Sequence, residues 1–193
     1  MMRTENIIIA GFGGQGIVAA GRTLAYAGMT EGKKTSMLPS YGPEMRGGFA
    51  NCHVIISDSD IASPIVSKPD IFIAMSHPAA DRFEPMVKPG KTMIVDSYQV
   101  KDREYRNDIN VIKIPATKIA MDAGNVKFSN MVMIGALMAV LDLPSVESMT
   151  RAVRNFLPKG KEDLLPLEMK VLSEGMKFAE QKSQRKDTIC YNG

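Results

Sequence analysis

Residues 6–28 read NIIIAGFGGQGIVAAGRTLAYAG, and this stretch decides the fold. The apolar run Ile7–Ala10 passes straight into glycines, which is the form of a strand buried on both faces. From Gly14 to about Gly28 the apolar residues Ile17, Ala20, Leu24 and Ala27 recur at helical spacing. Strand, glycine turn and helix therefore follow one another without a linker. Gly11, Gly13 and Gly16 satisfy the spacing GxGxxG. In such a turn the first glycine permits the bend, the second lets the main chain approach a pyrophosphate, and the third lets the helix pack on the strand. Free N–H groups at the helix start then face the anion. Gly11, Gly13, Gly14, Gln15 and Gly16 are accordingly the candidate phosphate turn; the alternative is a tight turn whose glycines serve packing alone.

Working outward, KKTSMLPS (33–40), ANCHVIISD (50–58), DIFIAMS (70–76), KTMIVDS (91–97) and INVIKIPA (109–116) read as further strands. HPAADRFEPMV (77–87) and PATKIAMDAG (115–124) read as helices, the first with Pro78 in its first turn and the second ended by Gly124. This alternation is the pattern of an α/β protein: a Rossmann-like, mostly parallel sheet flanked by helices. Residues 57–69 carry two prolines and several turn formers, so an irregular loop or hairpin is expected there, with some antiparallel content in the sheet. The last third is helical: an apolar helix over 129–141, an amphipathic one over 145–157 with a Ser145 to Ser148 cap, and a longer one over 161–182 that starts near Pro166. Residues 1–182 are expected to form a single unit, with 183–193 a disordered tail.

Composition narrows the function. The 24 basic and 21 acidic residues are interspersed and the formal net charge is only +3; aromatics are 6% with no Trp, which disfavours nucleic acid as a partner. No apolar segment reaches the roughly 18 residues of a membrane span, and MVMIGALMAVLDLP (131–144) is better read as a buried helix. The first residues lack the pattern of a secretory signal, so the cytoplasm is the expected location. Two cysteines, Cys52 and Cys190, supply neither a four-thiolate iron–sulfur cluster nor a Cys-rich zinc site, so any redox metal belongs to another chain.

A dinucleotide-binding protein would place an acidic residue at the end of its second strand, about 20 residues past the glycines, to hold the ribose of NAD. Here that strand ends Met37, Leu38, Pro39, Ser40 and runs into SYGPEMRGG (40–48). A standard NAD dehydrogenase is disfavoured. The loop combines Tyr41, Glu44 and Arg46 with Gly42, Pro43, Gly47 and Gly48. Arg46 is suited to hold a phosphate or carboxylate through two parallel hydrogen bonds, with Gly47 beside it; Glu44 holding Arg46 within the protein is the structural alternative. Lys33 and Lys34 are further candidates for added positive charge.

Taken together, AGFGGQGIVAAGRTLA (10–25), SYGPEMRGGFANCHVIISD (40–58), PDIFIAMSHPAADRF (69–83) and GKTMIVDS (90–97) resemble the gamma subunit of 2-oxoacid:ferredoxin oxidoreductases, over roughly residues 5–180. The resemblance implies a complex that oxidatively decarboxylates a 2-oxoacid with coenzyme A and reduces ferredoxin. It implies alpha and beta partner subunits, with thiamine diphosphate between them, and iron–sulfur clusters in the beta or a ferredoxin-like delta subunit. This chain would contribute to coenzyme A binding and active-site closure, would be inactive alone, and would form a homodimer if isolated. Of the family's types it is most similar to the 2-oxoglutarate one. The rival is an independent nucleotide-binding module, regulatory or a small dehydrogenase, on the same turn.

The remaining candidates are weaker. His53 falls within a strand. His77 and the pair Asp96 and Ser97 fall at strand ends, where ligands of open α/β proteins bind, although capping serves Asp96 and Ser97 equally well. Asn130 reads as a cap or interface group, and Met131, Met133 and Met138 as core filling.

Overall fold

The computed structural model describes residues 3–42 and 48–189, with side chains as far as Lys182. Strand β1 (Thr4–Phe12) leads to helix α1 (Ile17–Thr30), then β2 (Lys34–Tyr41) and β3 (Phe49–Ser57). After an irregular segment come β4 (Ile71–Ala74), α2 (His77–Phe83), β5 (Thr92–Asp96) and β6 (Asn110–Ile114). The helices α3 (Ala116–Asp122), α4 (Ser129–Leu141), α5 (Val146–Phe156) and α6 (Leu165–Ile189) complete the described chain. The expected helix over 77–87 stops at Phe83 and closes with a 3₁₀ turn, Glu84–Met86, at Pro85. The α6 helix continues past Lys182, into the segment expected to be disordered; residues 190–193 of that segment lie outside the described residues.

The six strands lie in the order β2-β3-β1-β4-β5-β6. β1, β4, β5 and β6 pair parallel, whereas β3 runs antiparallel between β1 and β2. The antiparallel content expected around 57–69 thus comes from β3, and those residues form only an irregular crossing. Because β3 reverses twice, β2 remains parallel to β1, and the β2–β3 loop stands at the same sheet edge as the glycine turn. Chain connections leave β1 in one direction and β4 in the other, so the topological switch point lies between these two strands.

The period-two alternation of β1 divides the core. Ile7 and Ile9 pack toward α1, α3, α4, α5 and α6, while Ile8 and Ala10 pack toward α2. α4 is apolar nearly all round and is sandwiched, with Met131, Met133 and Met138 all buried as core filling. Its other neighbour is α6, and the two helices cross backbone to backbone. A Cβ on Gly135 would collide with the Leu172 carbonyl, and one on Gly175 with the Val132 carbonyl. α5 begins at the expected cap, Ser145 Oγ accepting from the Ser148 N–H at 3.2 Å.

The far side of the sheet is closed by α2 and by residues 97–109, which Arg106 fastens in place. Its guanidinium donates to the carbonyls of Glu84, Pro85 and Val87 and pairs with Asp108 at 2.6 Å. At the amino edge, buried Asp70 accepts from the backbone and side-chain amides of Asn6 at 3.1 and 2.8 Å and pairs with Lys88 at 2.9 Å, locking β4 onto β1. Burial pushes the Asp70 carboxyl up, but the bonds from Asn6 and Lys88 outweigh it and hold the group below its ordinary value.

Two outcomes are expected. Gly135→Ala or Gly175→Ala forces the α4–α6 backbones apart and lowers unfolding free energy by about 3 kcal/mol or more in a urea titration. For Asp70, whose folded pKa lies below the unfolded one, the contribution is fully present above about pH 4 and is lost as pH falls through the folded value. Asp70→Asn therefore lowers stability at pH 7 and flattens the acid limb of a plot of unfolding free energy against pH.

Candidate functional site

The carboxyl edge at the switch point is built by the turn after β1. Gly11 and Phe12 still belong to the strand, so the bend starts later than the sequence pattern suggests. Gly14 and Gly16 carry it, with φ of 96° and 74°, left-handed values at which other residues are strained. Gly16 is also the residue that precedes α1 in the N-cap position, and it offers no side-chain cap. The Gly13 N–H, expected to approach a ligand, instead donates to the Gly48 carbonyl at 2.8 Å. That bond ties the turn to the neck of the β2–β3 hairpin, where the Gly42 N–H donates to the Phe49 carbonyl at 2.7 Å. The N–H groups of Gly14, Gly16 and Ile17 have no acceptor among the described residues; Gly14 is exposed and Gly16 half-buried, whereas Ile17 is buried.

Gln15 braces this turn. Its Oε1 accepts from the Phe12 N–H at 2.7 Å and its Nε2 donates to the Met75 carbonyl at 2.8 Å, so one amide spans the crevice between the ends of β1 and β4. Gly11 makes room for it: a Cβ there would collide with Gln15 Oε1. From the other side Asn130, buried at the start of α4, donates from Nδ2 to the Gly16 carbonyl at 3.1 Å. Nothing in the sequence links residues 114 apart, so the brace on the turn is an addition to the expected cap or interface role of Asn130, whose Oδ1 accepts from the Met131 N–H at 2.9 Å.

Two clefts flank the first turn of α1. One, of about 250 Å³, is lined by Phe12, Tyr41, Ala50 and the turn itself. The other, of about 260 Å³, lies between α1, the start of α4, the end of α5 and α6, and includes Arg22, Lys127, Phe156 and Glu168. Glu168 makes no ion pair among the described residues, and burial pushes its carboxyl up. Arg22 stacks on Phe156, with the guanidinium 4.3 Å from the ring centre.

Arg46 and Gly47, with Pro43, Glu44 and Met45, lie outside the described residues, although their flanks Gly42 and Gly48 are held at the turn. Lys33 and Lys34 stand at the start of β2, level with Thr4 and Ser57, and Lys33 pairs with Asp58 at 2.6 Å. Eight strand residues, roughly 26 Å, separate that edge from Phe12, so neither lysine serves the turn. The strand beside β1 is β3, which enters at the turn's edge as Phe49–Ala50 and, among the described residues, brings no acid to the ribose position. His53 Nδ1 accepts from the Val66 N–H at 2.9 Å, and no group of three metal-ligating side chains occurs among the described residues.

Asp96 is fully buried and accepts from the N–H and hydroxyl of Thr117, capping α3; burial pushes its carboxyl up. Cys52 is buried, its thiol pushed up to about 12, and is inert. His77 opens α2 with Nδ1 unpartnered among the described residues and Nε2 3.8 Å from Asp81.

Replacing Gln15 separates its two bonds. Gln15→Glu keeps the acceptor for Phe12 but turns a carboxylate toward the Met75 carbonyl, whereas Gln15→Ala removes both bonds. Each lowers stability by about 1–3 kcal/mol, read as a fall in Tm, with Gln15→Glu recovering as pH drops and the carboxyl protonates.

Comparison with known proteins agrees with this architecture. Residues 6–178 match the family model described as pyruvate ferredoxin/flavodoxin oxidoreductase. The ketoisovalerate oxidoreductase subunit VorA of Methanothermobacter marburgensis is 36% identical over 177 residues, 92% of this chain but 37% of VorA. The chain thus spans little more than a third of that relative. The 2-oxoglutarate synthase subunit KorC of Methanocaldococcus jannaschii is 40% identical over 165 residues, 84% of this chain and 88% of KorC.

Among solved structures, the gamma subunit of a keto/oxoacid ferredoxin oxidoreductase from Geobacter sulfurreducens superposes with a TM-score of 0.76 at 30% identity, covering 91% of this chain and 98% of that one. The 2-oxoglutarate:ferredoxin oxidoreductase of Magnetococcus marinus, solved with 2-oxoglutarate, coenzyme A and succinyl-CoA bound, gives a TM-score of 0.85 at 22% identity, over 93% of this chain and 31% of that one. It shares the fold. With the family model covering most of its length and KorC matching nearly end to end, the chain belongs to the pyruvate ferredoxin/flavodoxin oxidoreductase family.

Proposed function

We propose that the chain is the gamma subunit of a 2-oxoacid:ferredoxin oxidoreductase in which it holds coenzyme A and helps close the active site. One observation carries this reading: a glycine turn at the switch point has N–H groups at the start of α1 with no acceptor among the described residues and is bonded to the neck of the β2–β3 hairpin. An anion at a helix start is stabilised by those N–H groups and by the helix dipole, and a pyrophosphate suits the turn. Gly14 and Gly16 shape it, Gly11 and Gln15 brace it, Gly13 fastens it to the hairpin, and Arg46 and Gly47, in the sequence between the flanks Gly42 and Gly48, are the candidates to add contacts to the anion.

The 2-oxoglutarate type is favoured because KorC, at 40% identity over 88% of its own length, is a 2-oxoglutarate synthase subunit. In that case the complex converts 2-oxoglutarate and coenzyme A to succinyl-CoA and carbon dioxide, passing two electrons to ferredoxin. Decarboxylation and electron transfer are chemistry that thiamine diphosphate and iron–sulfur clusters supply on alpha and beta subunits, with a delta subunit where one exists. This chain's part is to bind and orient the thiol carrier and to exclude water. Residues 1–182 are the working unit, active only with its partners, a homodimer when isolated, and cytoplasmic. No helix among the described residues is long and apolar enough to cross a membrane.

Co-expression with alpha and beta partners tests the reading. The complex reduces viologen in a reaction that needs both the oxoacid and coenzyme A, and omitting this chain abolishes it. Arg46→Ala or Gly14→Val raises KM for coenzyme A about tenfold or more and leaves KM for the oxoacid unchanged. Undiminished activity without the chain, or tight NAD(H) binding by the chain alone, would favour the independent nucleotide-binding module instead.

A further inference from the structure

The two clefts beside the glycine turn share Gly14, Gly16 and Ala19, so they meet at the first turn of α1 and lie on either side of it. Each is smaller than the roughly 300 Å³ at which complete ligand sites begin, so each suits one end of a long molecule that crosses the turn. Their chemistry differs. The Phe12–Tyr41 end has no charged side chain among its described lining residues. The α4–α6 end has three, Arg22, Lys127 and Glu168, and none of them makes an ion pair among the described residues. The guanidinium of Arg22 is fixed by its stack on Phe156, which is itself held edge-on by Tyr26 at 5.3 Å.

We propose that the charged cleft is the nucleoside end of the site, and that the pair of clefts therefore fixes the direction in which coenzyme A lies. Arg22 and Lys127 take the phosphate on the ribose, and Glu168 accepts from a ribose hydroxyl or the exocyclic amine. The pyrophosphate rests on the N–H groups of Gly14, Gly16 and Ile17. The uncharged arm and its thiol run out past Phe12 and Tyr41. Unpaired cations of this kind stay hydrated until an anionic ligand arrives, which makes the cleft selective for the phosphorylated nucleoside. The assignment rests on the turn being the pyrophosphate site.

Titration calorimetry of the full chain with coenzyme A and with dephospho-coenzyme A, which lacks only the ribose phosphate, tests it. The wild type binds coenzyme A about tenfold more tightly than the dephospho form. Arg22→Ala and Lys127→Ala, both at exposed positions that leave the core intact, each shrink that ratio, and together they bring it close to one. Gly14→Val weakens both ligands equally. If the ratio survives both basic substitutions while Gly14→Val still weakens binding, the nucleoside lies elsewhere and only this inference falls. If Gly14→Val changes neither affinity, or neither ligand binds, the turn is not a phosphate site and both readings fall.

Discussion

The side-chain amide of Gln15 joins the ends of β1 and β4 across the crevice where an open α/β sheet binds its ligands, and the carboxyl edge is organised around it. An amide carries a donor and an acceptor at one end of a short stem, and here both are used by main-chain groups of two different strands. The bend that follows is then free to adopt the left-handed values of Gly14 and Gly16. Asn130 closes the bend from the helical side through the Gly16 carbonyl, and Gly13 closes it from the hairpin side through Gly48. With three braces the turn needs no ligand to hold its shape, so the N–H groups at the start of α1 are oriented in advance.

Much of this was legible in the sequence, because strong local signals and tertiary demands coincide. The buried strand, the glycine turn, α1, the apolar α4 and the Ser145 cap all follow from periodicity and capping chemistry acting over a few residues. The position of β3 did not. Its alternation marks it as a strand, but nothing in residues 49–57 says that it slides between β1 and β2 in reverse, since strand order depends on contacts made by the whole sheet. The site divides in the same way. Gly14 and Gly16 announce themselves through spacing, whereas Asn130 and the Arg22, Lys127, Phe156 and Glu168 cleft are assembled from residues more than a hundred positions apart.

The absent ribose acid gains a structural cause. In a fold where a parallel second strand lies beside the first, that strand's end delivers the acid to the ligand. Here the neighbour of β1 arrives from the opposite direction and begins at the turn, so no parallel strand ends beside β1 on that side. The two sheet faces differ as well. On one, α4 and α6 meet backbone to backbone and set the cleft wall that carries Glu168; on the other, α2 and the segment pinned by Arg106 form a thinner cover.

The reversed β3 also has a mechanical meaning. It is bonded along nearly its whole length to β1 on one side and β2 on the other, and those bonds run across the strand direction. A pull on β3 itself along the strand axis loads both ladders in shear, so many bonds resist together, whereas a sideways pull would open them one after another. A strand held in this manner passes a load to the sheet as a whole without unzipping.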